Sequence, residues 1–417
     1  MTETTTCAII GGGPAGMVLG LLLARAGVQV TVLEKHADFL RDFRGDTVHP
    51  TTLDLLDDLG LGERFAALPH SKISRMTFPL PGGATLTMAD FTRLHLAHPY
   101  IAMVPQWDLL NLLAEAGRAE PAFTLRLRTE VTGLLRAGDR ITGVRYQDPD
   151  GDGELPADLT VACDGRWSLA RREAGLQARE YPLNSDTWWF KVPFPDADLV
   201  PSLLPRTAPG KMLIAIPRKD FLQVAYLGPK GSDALLRERG IEALRRDVAG
   251  LMPELAGPVQ ALGSMDEVKY LDVRLNRLRR WHQPGLLCIG DAAHAMSPLG
   301  GVGINLAVQD AVAAARILAT PLLERRVTGR DLDAVRKRRH LPTAATQALQ
   351  RLLHRRVLGP VLAGTSPTPP TAMITLIKRF PQLSAVPARL VGVGIRPEPA
   401  PAFARRPPTQ SEPATSG

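Results

Sequence analysis

Gly11, Gly13 and Gly16 have the spacing, and Glu34 the distance, to hold the phosphates and a ribose of a dinucleotide. They lie in the run CAIIGGGPAGMVLGLLLARAGVQVTVLEKH, residues 7–36. Each has its own physical task. Gly11 permits a tight turn out of an apolar strand. Gly13 lets backbone amides approach a pyrophosphate. Gly16 lets the following helix pack closely on the sheet, with its positive end toward the phosphates. Glu34 stands eighteen residues beyond Gly16, at the tip of a second apolar strand. A carboxylate there bonds a ribose hydroxyl and repels a 2′-phosphate. Ala15 within the turn and Lys35 beside the acid complete this set of cofactor-contacting candidates. The dinucleotide is FAD or NAD, and this stretch alone leaves both open.

Two later motifs bear on that choice. In CDGRWSLARREAG (163–175) an apolar strand delivers Asp164 and Gly165 at its tip, and Ser168, Arg171 and Arg172 follow on a helix. In GLLCIGDAAHAMSPLGGVGINLAVQDA (285–311) another apolar strand ends at Gly290–Asp291, and a glycine loop after Pro298 runs into a helix near Ile304–Asn305. Asp291 is placed to accept a hydrogen bond from a ribityl hydroxyl. Gly301, Gly303 and the amides of Ile304 and Asn305 are placed to face an isoalloxazine carbonyl and stabilise negative charge on a reduced flavin.

With GGGPAG, DGxxSxxR and GDAAHxxxPxxGxGxN in this order, the chain resembles the class A flavoprotein monooxygenases, the p-hydroxybenzoate hydroxylase family, over roughly residues 5–395. The resemblance implies a tightly held FAD, a transient NADH or NADPH, and a C4a-hydroperoxyflavin that hydroxylates or epoxidises an organic substrate. It also places Arg44, in FRG, at the flavin and Gln106, in VPQWDLL, near the ribityl chain. The chain departs from the family pattern at Ala170, where many members have valine, and at Gly-Val-Gly-Ile-Asn in place of Gly-Gln-Gly-Met-Asn. The thioredoxin-like C-terminal domain of some larger relatives is not expected in this sequence. The alternative activity is a flavin-dependent oxidoreductase or dehydrogenase without oxygen insertion.

Such chemistry requires a dry site and a positioned substrate, and sometimes a base that ionises a phenol. Pro298 and His49 are the substrate-side candidates; His282 and His294 are further histidines able to move a proton, although no base stands out. TWWFKVPF (187–194) only loosely matches the W-x-W-x-I-P motif of flavin halogenases and reads as a sheet strand. Phe78, Trp189 and Phe221 are expected in the substrate pocket, which suits an aromatic or polycyclic compound.

The expected fold class is α/β: a Rossmann-like FAD-binding domain, a second, mostly antiparallel-sheet substrate domain, and a helical C-terminal part. The FAD-binding domain spans 1–181, with an inserted hairpin near 72–104 facing the substrate site. The substrate-binding sheet occupies 182–270. Residues 271–395 return to the FAD domain and add helices, and 396–417 form a disordered tail. Thr51 or Thr52 is expected to cap a helix before the GLG stop at 60–62.

Composition fits an ordinary globular chain of 417 residues, 45% hydrophobic and 22% charged. The net charge of +8 is spread over runs such as RLNRLRRWH (274–282) and VRKRRH (335–340), with no nucleic-acid motif beside them. These runs read as solvated helix faces, so the expected partner is a small molecule. Cys7, Cys163 and Cys288 form no CxxC and no metal-ligand spacing; no metal is expected, and three reduced cysteines suit the cytoplasm. MTETTTC has no signal-peptide pattern, and no uncharged apolar run is long enough to span a bilayer.

Overall fold

The apolar run Thr5–Ile10 is a fully buried strand. It pairs in parallel with Val30–Leu33 on one side and with Gly151–Ala162 on the other. Gly151–Ala162 pairs in parallel with Leu286–Cys288 in turn, and Val30–Leu33 with Phe123–Arg126. Ile10 lies opposite Ala162, and Ala162 opposite Cys288. The strands that precede the three motifs are therefore neighbours in register, and their loops leave one edge of the sheet together. This computed structural model describes residues 3–40, 46–79, 85–194, 205–218, 220–365 and 371–407.

Helix Pro14–Arg25 is apolar on every face and buried, packed against helix Gly303–Leu323. That second helix is long and apolar enough to cross a membrane by composition. Here its surface is mostly core, and it carries the fully buried Asp310. The strands Glu130–Ala137 and Arg140–Asp148 and the first half of Gly151–Ala162 form an antiparallel meander beside the sheet.

A separate five-stranded antiparallel sheet orders Pro205–Ala208, Lys211–Pro217, Phe221–Pro229, Ser185–Pro193 and Lys269–Leu271. Period-two alternation divides its side chains. Trp188, Phe190, Leu213, Val224 and Tyr226 pack with Leu244 and Val248 of helix Asp233–Leu251. Thr187, Trp189, Met212, Ile214, Ile216, Ala225 and Leu227 take the other face and floor a cavity. The hairpin Arg75–Pro79 with Thr85–Asp90 contributes Met76 and Met88 to the same cavity.

Two local expectations are corrected. Helix Pro50–Asp58 is preceded by His49 without a side-chain cap. The hydroxyls of Thr51 and Thr52 donate instead to Asn305 Oδ1, each at 2.9 Å, because Asn305 is buried against them. The tail expected to be disordered from residue 396 is packed as far as Pro407. Glu398 accepts two 2.8 Å bonds from Arg338, and Arg25 Nη1 donates to the carbonyl of Ala404 at 2.8 Å. A proline-rich composition does not reveal that one acid in it will be buried among arginines. Residues from Pro408 onward lie outside the described set, as does Arg44.

Candidate active site

The three motif loops converge because the strands do. Gly11 has φ +99°, and a Cβ there would stand 2.7 Å from the carbonyl oxygen of Cys163, so the first and second motifs touch backbone to backbone. Glu34 is buried at the next strand tip. Its Oε2 accepts from Gly12 N–H at 2.8 Å, and its Oε1 from His36 N–H at 3.0 Å. The same carboxylate lines the cavity, where it would accept from a ribose hydroxyl. Helix Pro14–Arg25 starts at Gly13 with no side-chain cap, so its first N–H groups face outward for an anion.

A cavity of about 1260 Å³ runs from this corner to the second sheet. Gly11, Gly13, Ala15, Glu34, Lys35, Gln106, Asp164, Asp291, Pro298, Gly301, Gly303 and Ile304 all line it. Two features fit a flavin dinucleotide here. Asp164 Oδ2 accepts from Ala170 N–H at 3.2 Å, but its buried Oδ1 has no partner among the described residues. Burial also raises the Asp164 carboxyl above the usual carboxylate range, against the hydrogen bonds that favour its charge. At Gly13 a Cβ would meet nothing within 4 Å, so the backbone is open to the cavity. Asp291 accepts from Arg166 Nη2 at 3.3 Å and remains partly exposed.

Several candidates do not line the cavity. Gly16 lies beneath it, packed on Gly11. The Asn305 side chain faces Thr51 and Thr52, so only its backbone at the helix start is available to a ligand. His49 is not a substrate-side residue. It is wholly buried, with Nδ1 2.9 Å from the carbonyl of Val391 and Nε2 3.0 Å from that of Gly301. Burial lowers its pKa to about 4, so the neutral ring donates to only one of these carbonyls. Thr47 Oγ1 also donates to Gly301 O at 2.7 Å, and the glycine loop is thus held from below. His294 meets Asp310 at 2.5 Å in the core, and His282 faces Asp333 at 3.6 Å. Trp189 lines the cavity. Phe221 instead packs beneath Lys191 Nζ, 5.2 Å from its ring centre, and the side chain of Phe78 lies outside the described set.

Sequence reasoning missed a second layer behind Pro298. Gln350 Nε2 donates to the carbonyls of Ser297 and Leu299 at 2.9 and 2.8 Å, and Ser297 Oγ lies 2.7 Å from His354 Nε2. Gln347, Gln350 and His354 are spaced to share one face of a helix, and that polar spacing is the signal that could have found them.

A family model described as FAD binding domain matches residues 3–349. The chain is a class A flavin monooxygenase. The monooxygenase is 34% identical over 392 residues to the 6-methylpretetramide 4-monooxygenase of Streptomyces rimosus, covering 93% of this chain and 92% of that one. It is 30% identical to a 12-dehydrotetracycline 5-monooxygenase/anhydrotetracycline 6-monooxygenase of the same species, over 73% of this chain and 60% of that one. Among solved structures, the anhydrotetracycline hydroxylase OxyS of S. rimosus superposes with a TM-score of 0.75 at 23% identity, covering 94% of this chain and 77% of that one, a likeness of fold.

Replacing Glu34 tests the adenosine end of the flavin site. Glu34→Ala is expected to raise the FAD dissociation constant about tenfold to a hundredfold, from the loss of hydrogen bonds to a charged acceptor worth roughly 1.5–3 kcal/mol. Turnover at saturating FAD should be kept, because the ribose is remote from the reacting ring. Flavin fluorescence titration measures the first quantity and steady-state assay the second. An unchanged dissociation constant would reduce Glu34 to a tie for the glycine loop.

Proposed function

We propose that this FAD monooxygenase uses NADH or NADPH and O2 to hydroxylate a polycyclic aromatic compound of the tetracyclic polyketide type. The observation that carries the reading is the apolar floor of the cavity, where the paired strands Lys211–Pro217 and Phe221–Pro229 present Met212, Ile214, Ile216, Ala225 and Leu227 on one face, continuous with the glycine-motif corner. At about 1260 Å³ the space exceeds a typical small-molecule pocket of roughly 300–1,000 Å³, and it has room for a dinucleotide and a fused-ring ligand end to end. The names of the tetracycline-type relatives support the same substrate class.

Bound FAD would take up a hydride and activate oxygen. The chain's own residues do the rest. Glu34, Gly13 and the start of helix Pro14–Arg25 hold the adenosine and pyrophosphate. Asp164, Asp291 and Gln106 serve the ribityl end. Gly301, Gly303, Ile304 and the Asn305 amide face the ring, and their helix start favours negative charge there. Pro298 lines the same cavity and would face a bound substrate. The nicotinamide cofactor has no second glycine motif and binds transiently. Three free cysteines, two of them buried, suit work in the cytoplasm.

The expected result is NAD(P)H oxidation that rises at least about tenfold with the true substrate, a barrier change of ~1.4 kcal/mol. One atom from ¹⁸O₂ should appear in the product by mass spectrometry. Product formed without the label, with all oxygen recovered as hydrogen peroxide, would assign the chain to the oxidoreductases that insert no oxygen.

A further inference from the structure

Three polar side chains in the wall of the substrate half of the cavity lack hydrogen-bond partners among the described residues. They are Thr187 Oγ1, Trp189 Nε1 and His354 Nδ1. Thr187 is 1% and His354 4% exposed, and all three polar atoms are screened from bulk water. A buried polar group left unpaired is costly, and native proteins leave few of them. Three in one cavity wall point to a ligand.

Their chemistry indicates what the ligand must carry. Thr187 and Trp189 are two apart on strand Ser185–Pro193 and share its cavity face. An indole N–H only donates. His354 opens the π-helical turn His354–Leu358, a local distortion often found at functional sites, which lies over the sheet floor through Leu358 and Val361. Burial lowers its pKa to about 4, so the ring is neutral near pH 7. Its tautomer follows from Ser297. That hydroxyl oxygen accepts from Leu299 N–H at 3.2 Å, and among the described residues the acceptor its own proton meets is His354 Nε2 at 2.7 Å. With Ser297 as the donor in that bond, the ring proton of His354 is on Nδ1. All three orphaned groups carry a hydrogen and want an acceptor.

We infer that Thr187, Trp189 and His354 form a donor edge that binds the carbonyl or phenolic oxygens along one side of a polycyclic substrate, reached by small rotations of the two rings toward the cavity. This rests on the polycyclic reading above and adds which side of the ligand is recognised, and by which atoms. Ser297 is the positioning residue that fixes the His354 tautomer.

The test uses flavin-loaded full-length protein and two probes, 1,8-dihydroxyanthraquinone and the oxygen-free anthracene, with binding followed by perturbation of flavin absorbance and by ligand fluorescence. Wild type should bind the quinone at least about tenfold more tightly than anthracene. Trp189→Phe and His354→Leu should each lose about tenfold in quinone affinity, equivalent to about 1.4 kcal/mol, with anthracene affinity unchanged. Ser297→Ala should show a smaller loss in the same direction. Flavin content and melting temperature equal to wild type show that each variant is folded; where one is not, His354→Gln, which keeps a side-chain N–H, is read in its place and should retain part of the quinone preference. Equal loss for both probes, or no loss for either, would overturn the donor edge alone. Failure of wild type to bind either probe would overturn the polycyclic reading and the donor edge with it.

Discussion

Gly16→Ala is expected to yield protein that purifies without flavin and melts well below wild type. A Cβ at this position would overlap the carbonyl oxygen of Gly11 and stand 3.2 Å from Ile9 Cγ2. Overpacking a core costs about 1–3 kcal/mol when side chains can give way. Here the obstacle is backbone, fixed by the Gly11 N–H bond to Leu33 O at 2.8 Å, so a loss of about 3 kcal/mol or more is expected. The helix must lift from its strand, and its first amides move away from the pyrophosphate as it does. Gly13→Ala separates the two effects. A Cβ there meets no protein atom within 4 Å, and φ −76° suits alanine. That variant should keep the melting temperature of the flavin-free protein and still bind FAD weakly, because the methyl group stands where phosphate must approach. Absorbance at 450 nm after dialysis against FAD-free buffer gives the occupancy. A Gly16→Ala protein that keeps full flavin would show that helix and strand have slack the packing does not reveal.

Asp310→Ala should cause the second large loss, with no direct effect on a cofactor contact. Asp310 Oδ1 accepts from Arg339 Nε at 3.0 Å, and Oδ2 from Gly290 N–H at 3.2 Å while facing His294 Nε2 at 2.5 Å. Arg339 and Asp310 are both wholly buried. Removing Asp310 leaves Arg339 with only the longer contact to Glu398, at 3.5 Å, and leaves the Gly290 N–H and His294 without their acceptor, so a loss of about 3–5 kcal/mol in unfolding free energy is expected. The pH dependence carries a sign. Burial alone would raise the Asp310 carboxyl; His294 and Arg339 together outweigh burial and hold it below the usual carboxylate range. Its contribution is therefore full above the unfolded value of about 4 and is lost as pH falls through the folded value. Urea unfolding between pH 7 and pH 3 should show wild type losing stability faster than Asp310→Ala over the acid end. Parallel curves would mean that the carboxylate is not what stabilises this part of the core.

The parallel sheet and its loops were legible in the sequence because they are local: a strand, a turn and a helix within about thirty residues repeat the physical reason for each glycine. The approximate positions of Asp164, Asp291 and Pro298 came from the same logic. Legibility ended where one residue depends on another far along the chain. His49 reads as a free imidazole until the carbonyls of Gly301 and Val391 are placed against it. Asn305 follows a glycine loop and reads as a ligand contact, but which side of a helix start a side chain takes is decided by the helix opposite. Ser297 and His354 meet across fifty-seven positions, and the π turn shifts the phase of the helical pattern that leads to it.

The packed tail also bears on how the enzyme is made. Arg25 closes the first helix of the nucleotide fold, and its Nη1 donates to the carbonyls of Leu59 and Ala404. Glu398 sits between Arg338 and Arg339, beside Asp310. A nascent chain thus exposes its complete glycine motif long before the residues that brace it have left the ribosome. Until then Arg25 lacks one of its acceptors and Arg339 has Asp310 but not Glu398 as a counter-charge. A chain ending before residue 398 would hold every residue of the flavin site without the contacts that brace it.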